Sequence, residues 1–337
     1  MEMLLNPLVL LANFVLVPGL AYGSQLALGA LGVTMVYAVL NFSNFSHGEV
    51  MSFGAMITIL STYWLQSIGL SISPLPTALL ALPLGILGTI GLCLLLDRLV
   101  FRFYRHQRAS SVTYLIVSIG VMFVIGGVIR FVIGPNDQNF NDGDRFLLKA
   151  REFKEISGLS EGLAIKSSQA ITVFTAVIVV AAIFWFLNRT RTGKSMRAYA
   201  DNQDLALLSG INPDRVVRIT WIITAGLAAV AGTLYGLDKS YKPLVYLHLV
   251  LPIFAAAIVG GVGNPLGAIV GGFVIAFSEL LLTFAYKKVA AYLFGEGLFG
   301  DGLLQILSTD YKFAVSFMIL VVVLLIKPTG IFSGKSL

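Results

Sequence analysis

His47 and Glu49 stand two residues apart in the segment NFSNFSHGEVMSFG (41–54), between two long apolar runs. An ionisable group within an apolar helix costs on the order of 3 kcal/mol on insertion scales, so such a pair raises the chemistry of a proton relay. A second reading needs no chemistry: Glu49 is a first-turn acid favoured by the helix dipole, and Asn41, Asn44 and Ser46 form the turn before it. The segment GGVGNPLGAIVGG (260–272) is the other polar interruption, where Gly260, Gly261, Gly263, Asn264 and Pro265 come together between apolar runs. Non-helical backbone at membrane depth survives only where protein or a water-filled cavity satisfies it. One such interruption in each half of a chain therefore marks a translocation path lined by discontinuous helices. Each interruption is equally compatible with a plain hairpin turn.

Other chemistries find no residues to carry them. His47, His106 and His248 are scattered, and neither an HExxH nor a paired-cysteine spacing exists, so no metal site is indicated. The single Cys93 lies in an apolar helix and reads as a small buried hydrophobe. Thr192-Gly193-Lys194-Ser195 imitates the end of a phosphate-binding loop, but the glycine required five residues before Gly193 is replaced by Asn188. The chain is expected to bind no cofactor and to have no nucleotide cradle or catalytic constellation of its own.

The elements that must position these residues are membrane helices. Only 12% of residues are charged and 57% are hydrophobic, with a mean hydropathy of +0.88, which no soluble surface tolerates. Windows of about 20 apolar residues fall at 19–40, 48–66, 76–97, 112–133, 170–188, 219–237, 245–262, 265–285 and 313–327. Residues 8–17 form a further apolar stretch cut by Pro18-Gly19, read as a re-entrant or interfacial lead-in. The expectation is a single all-α transmembrane domain over 1–337, a polytopic helix bundle with about 8–9 spans and discontinuous or re-entrant elements. Small-residue spacings such as Gly19/Gly23, Gly85/Gly88, Gly232/Gly236 and Gly263/Gly267/Gly271 suit close helix packing in lipid.

Basic loops set the orientation. Arg98, Arg102, Arg105 and Arg108 in one loop, and Arg189, Arg191, Lys194, Arg197, Arg215 and Arg218 in another, place both in the cytoplasm, with Lys327 and the tail to Lys335. The segment 134–169, with six acids and five bases, then lies outside. Glu279 falls near the outer end of its span, snorkelling or paired there. The net charge of +6 resides in short loops facing lipid headgroups, which argues against nucleic acid.

The loop 189–218 reads as two helices. One runs from about Ser195 to Leu208 and ends at Ser209-Gly210; the next starts with Asn212 as cap and Pro213 in its first turn. The first carries Met196, Tyr199, Leu205, Leu207 and Leu208, an apolar set that asks for a protein partner or for a place on the lipid surface.

Four segments in register, GLAYGSQLALGALGVTMVYAVLNFSNFSHGEVMSFGA, SMRAYADNQDLALLSGINPDRVV, AAIVGGVGNPLGAIVGGFVIAFSE and YKFAVSFMILVVVLLIKPTGIF, give the chain a resemblance that covers nearly its whole length. It resembles the membrane permease subunit of bacterial ABC importers of branched-chain amino acids, the high-affinity leucine/isoleucine/valine type. That resemblance implies a multi-pass protein of the inner membrane with a cytoplasmic C-terminus. It also implies a homologous second permease subunit, two cytoplasmic ATPase subunits that bind ATP and Mg, and a periplasmic amino-acid-binding protein. Import would proceed by alternating access, with Asn41, Asn44, Ser46, His47, Glu49, Gly260, Gly261, Gly263 and Asn264 bordering the path. Ala206, Gly210 and Ile211 match the Ala-x-x-x-Gly-Ile core of the family's ATPase-facing loop, and Asn202 and Asp204 precede it. The Glu-Ala-Ala opening found in other importer classes is absent. Related carriers of neutral or polar amino acids, urea and short amides share these segments, and an ion-gradient-driven secondary transporter is the alternative of another class.

Overall fold

The computed structural model describes residues 2–140, 142–294, 304–327 and 329–332. Lys335 lies outside the described residues.

The first apolar stretch is not a separate lead-in. Helix α1 (Glu2–Leu11) passes through a π turn at Ala12–Leu16 into α2 (Val17–Leu40) without a break. Pro18 supplies no amide to the helix ladder, and the wider turn just before it absorbs that defect, with the Val17 amide bonding back to the Ala12 carbonyl. The span Leu5–Leu40 is 36 residues long. At about 1.5 Å per residue it outreaches a hydrocarbon core of about 30 Å.

Helix α3 (His47–Ser67) follows a short turn, then α4 (Ala78–Leu96), which continues through a π turn at Asp97–Phe101 into α5 (Arg102–His106). Beyond α6 (Ser111–Ile133), the segment anticipated as an outer loop contains strand β1 (Phe146–Leu148), helix α7 (Ala150–Ser157) and strand β2 (Ile165–Lys166). The two strands pair antiparallel. Helix α8 (Ser167–Arg189) crosses back to α9 (Arg191–Asp201) and α10 (Gln203–Leu208). The remaining helices are α11 (Pro213–Lys239), α12 (Pro243–Gly260), α13 (Pro265–Thr283), α14 (Lys287–Phe294) and α15 (Lys312–Ile326).

Among the described residues, eight helices are long and apolar enough to cross a membrane. Helix α3 has 21 residues but is less apolar than those eight. Its place explains its composition: it packs among α4, α6, α11 and α12, so Ser52, Thr58 and Thr62 meet protein, not lipid. The Thr58 and Thr62 hydroxyls donate to the carbonyls of Gly54 and Thr58, one turn back.

Helix α2 is the hub, bordered by α8, α11, α12 and α13. Its glycines are packing sites: a Cβ at Gly23 would lie 2.5 Å from the Phe273 ring, and one at Gly272 would lie 2.6 Å from the Ala27 amide nitrogen. Such close approach replaces the hydrophobic drive that lipid does not supply between helices.

Candidate functional site

The polar segment 41–49 closes the turn between α2 and α3. Asn41 caps α2 in the left-handed conformation (φ 56°), one of the few non-glycine types that adopts it readily. Asn44 Oδ1 accepts from the Ser46 amide (3.2 Å) and hydroxyl (2.7 Å), which fixes the tight entry into α3. Phe42 stacks on Tyr114 (4.8 Å between centroids) and on Phe101 (5.5 Å), and Phe101 stacks in turn on Trp221 (5.2 Å). Phe45 stacks on Phe254 at 4.8 Å, and its amide donates to Ser118 Oγ at 3.1 Å. The turn is therefore held by α4, α6, α11 and α12 together.

His47 and Glu49 are both buried, at 1% and 3% exposure. The His47 imidazole lies over the glycine gap at Gly32 of α2, where a Cβ would come within 2.7 Å of its Cε1. Glu49 faces a different helix: its carboxyl carbon and Arg130 Nη2 both crowd the Cβ position of Gly126, at 3.2 and 2.8 Å. Arg130 is turned back along α6, with Nε donating to the Gly126 carbonyl at 2.8 Å. The two ionisable groups anticipated as a pair thus address opposite neighbours, the histidine toward α2 and the carboxylate toward α6.

Gly260, Gly261, Gly263 and Asn264 occupy the turn between α12 and α13. Asn264 Oδ1 accepts from the amides of Leu266 and Gly267 (3.1 and 3.2 Å), capping α13 above Pro265. Gly261 (φ 112°) and Gly263 (φ 89°) adopt conformations that side chains rarely permit. Residues 329–332 close over this turn, with the Phe332 amide bonding the Gly260 carbonyl at 3.0 Å and the Ile331 amide bonding that of Val259 at 2.8 Å. Asn41 and Gly261 both follow the C-terminal ends of their helices, but the 41–46 segment turns back inward, so that His47 lies against Gly32, eight residues before the end of α2.

The 189–218 region departs from expectation in its helix boundaries. Helix α9 begins at Arg191, with Thr190 Oγ1 capping the Gly193 amide at 2.9 Å, and it stops at Asp201. Asn202, extended at φ −152°, breaks the run and caps α10 through the Leu205 amide (3.0 Å). A side chain of this type competes well for free amides at a helix start. Gly210 (φ 80°) ends α10, and Asn212 Oδ1 accepts from Arg215 at the start of α11 (3.2 Å), as the spacing predicts.

The apolar set of this region divides in two. Met196, Tyr199 and Ala206 are buried against the bundle, and Gln203 Nε2 donates to the Val39 carbonyl at 3.3 Å, tying α10 to the end of α2. Burial raises the Tyr199 phenol above its ordinary value, partly offset by Arg105, so it stays neutral at physiological pH. By contrast Leu205, Leu207 and Leu208 are 60%, 48% and 85% exposed. Asn202, Asp204 and Gly210 stand in the open beside them, and Ile211 is half-buried.

Sequence reading missed the brace beneath this element. Asp97 accepts from Arg105 (2.8 Å) and from Trp221 Nε1 (2.9 Å), and Arg105 reaches Asp214 at 3.7 Å, joining α4, α5 and the start of α11. The only sequence signal is an acid at the end of an apolar run with an arginine eight residues on. Glu279 is paired and not snorkelling: fully buried, it meets Lys312 Nζ at 3.5 Å and accepts from the Ser316 hydroxyl.

A bundle of eight helices long and apolar enough to cross a membrane is the form of a multi-pass membrane protein. The chain belongs to the family described as branched-chain amino acid transport system / permease component, whose match spans residues 15–324. It is 31% identical over 320 residues to the high-affinity branched-chain amino acid transport system permease protein LivH of Salmonella typhimurium, covering 93% of this chain and 92% of that protein. It is 30% identical to LivH of Escherichia coli K12 at the same coverages. Against the permease protein BraD of Pseudomonas aeruginosa the identity is 30%, covering 94% of each chain. Among solved structures, PsaBC from Streptococcus pneumoniae in complex with Fab is similar at a TM-score of 0.46 and 12% identity, over 98% of this chain and 93% of that chain.

Proposed function

We propose that the chain is the inner-membrane permease subunit of an ATP-driven importer and moves branched-chain amino acids into the cytoplasm. The observation that carries this reading is family membership over residues 15–324, joined to the transport activity in the names of the relatives. On this reading a second homologous permease, two ATPase subunits and a periplasmic binding protein complete the machine. The basic 189–218 end faces the cytoplasm and the 134–169 end faces the periplasm.

The exposed triad Leu205, Leu207 and Leu208 supports a docking role, because three large apolar side chains on one six-residue helix need a partner surface. Asn202 and Gly210 set the two ends of that helix, Ala206 seats it on the bundle, and Asp204 and Ile211 flank the contact. Movement of a docked ATPase passes through α10 to the Val39 carbonyl and so to α2, the hub of the bundle. The 41–49 segment starts at that same end of α2 and reaches back to Gly32, and so borders the path from its cytoplasmic side inward. Gly260, Gly261, Gly263 and Asn264 border it as the rigid turn closing α12 on α13.

Uptake of radiolabelled leucine by the reconstituted complex tests this directly. Leucine, isoleucine and valine compete, urea and acetamide do not, and withholding ATP stops uptake. Uptake that survives without ATPase subunits and collapses with a protonophore would replace this reading with that of an ion-driven carrier.

A further inference from the structure

A second site lies at the other end of the molecule. Residues 139, 140 and 142–145 and the first turn of α8 line, with the last turn of α11, a half-open cavity of about 440 Å³, within the range of small-molecule sites. Five charged side chains line it: Asp142, Asp144 and Asp238 against Arg145 and Lys166. Both signs share one space, yet among the described residues none of the five forms an ion pair within 4.0 Å. Asp142 uses Oδ2 to accept from the Thr77 amide at 2.8 Å, while its Oδ1 is buried and, among the described residues, has no donor. A buried carboxylate oxygen left in that state is costly unless a cation or donor reaches it.

We propose that this cavity binds the head group of a free α-amino acid. The ammonium faces Asp142, Asp144 and Asp238. The carboxylate faces Arg145, Lys166 and the start of α8, a 23-residue helix whose positive dipole end lies there. A simple anion would meet three carboxylates and a simple cation two bases, so a zwitterion suits the mixed lining better than either. Phe140, Leu237 and Pro76 offer apolar surface for the side chain. Below, Phe140, Tyr241 and Tyr246 converge on Gly236 at the cavity wall, each within 3.7 Å of its Cβ position. On this inference the cavity is a waiting site, loaded before the bundle opens. This inference rests on the transport reading for the identity of the solute.

The test uses the assembled complex in lipid nanodiscs without binding protein or ATP, and measures equilibrium binding of radiolabelled leucine. Leucine binds; isocaproate, which lacks the ammonium, and isoamylamine, which lacks the carboxylate, bind at least about tenfold more weakly, as expected for loss of a charge-assisted contact. Arg145→Gln, Lys166→Gln and Asp238→Asn each weaken leucine binding by about tenfold or more, while Arg151→Gln on exposed α7 leaves it unchanged. Thermal unfolding midpoints equal to the parent's establish that the variants are folded. Absence of leucine binding at about 10 mM, a Kd too weak to be useful, by a complex that still imports leucine with its binding protein, overturns the inference and leaves the transport reading standing. Leucine binding unaffected by all three cavity substitutions, or substitutions that weaken only the docking of the binding protein, overturns it as well.

Discussion

At the scale of single residues, buried charge decides most. Glu279 is fully buried and Lys312 is its cationic partner at 3.5 Å, with the Lys312 ammonium also 3.9 Å above the Tyr22 ring. Removing one partner of such a pair leaves an uncompensated charge, which costs about 3 kcal/mol or more, whereas replacing both by apolar groups is often neutral. Lys312→Met is therefore expected to lower the thermal midpoint of the detergent-solubilised protein. The double variant Lys312→Met, Glu279→Met recovers most of the loss in a double-mutant cycle. His47 and Glu49 stood out in the sequence because ionisable residues are rare in apolar runs, and both are buried as such residues must be. Their partners could not be read, because Gly32 and Gly126 carry no chemical label; they matter only as gaps into which a neighbouring side chain fits.

At the scale of elements, small residues and caps do the work. A larger side chain at Gly272 would meet the Ala27 backbone, not a flexible side chain. Gly272→Leu thus has no cheap relaxation, and its expected cost is about 2–3 kcal/mol, visible as loss of folded protein in detergent by size-exclusion chromatography. Asn202→Ala removes the cap of α10 for about 1 kcal/mol. It is expected to reduce transport-coupled ATP hydrolysis while leaving the thermal midpoint of the bundle nearly unchanged. Eight of the nine apolar windows coincide with helices long and apolar enough to cross a membrane, since hydropathy over twenty residues is a strong signal; the ninth, 48–66, is the less apolar α3. Two features were not legible. Pro18-Gly19 resembled a stop, and only the π turn at 12–16 shows how the helix accommodates it. The loop helix was anticipated as continuous from Ser195, whereas Asn202 divides it; mid-helix and capping asparagines look alike until the backbone is seen. Gly210, Asn212 and Pro213 were read correctly because each has one dominant positional preference.

At the scale of the whole molecule, the chain has two differently built ends. One carries basic loops, the Asp97–Arg105–Trp221 brace and the exposed leucines of α10. The other carries the strand pair, α7 and the polar cavity beneath them. On the proposed reading a push on α10 would pass to α2, to whose end Gln203 is hydrogen-bonded. Family membership agrees with this division, though the polar end, rich in loop, offered the sequence no motif beyond its mixed charge.

In the proposed mechanism, force enters through α10. This is tested most directly by leucine uptake into ATP-loaded proteoliposomes containing the full complex with Leu208→Asp or Gly210→Trp in this chain. Leu208 is 85% exposed, so Leu208→Asp is expected to insert and fold; at Gly210 (φ 80°) no atom lies within 4 Å of the Cβ position, but a side chain strains the backbone there, so Gly210→Trp is expected to insert with the end of α10 displaced. Uptake is expected to fall by at least about a hundredfold, as for loss of a central interface anchor, with the ATPase subunits no longer retained on the purified permease. Uptake close to the parent's in both variants would contradict this mechanism.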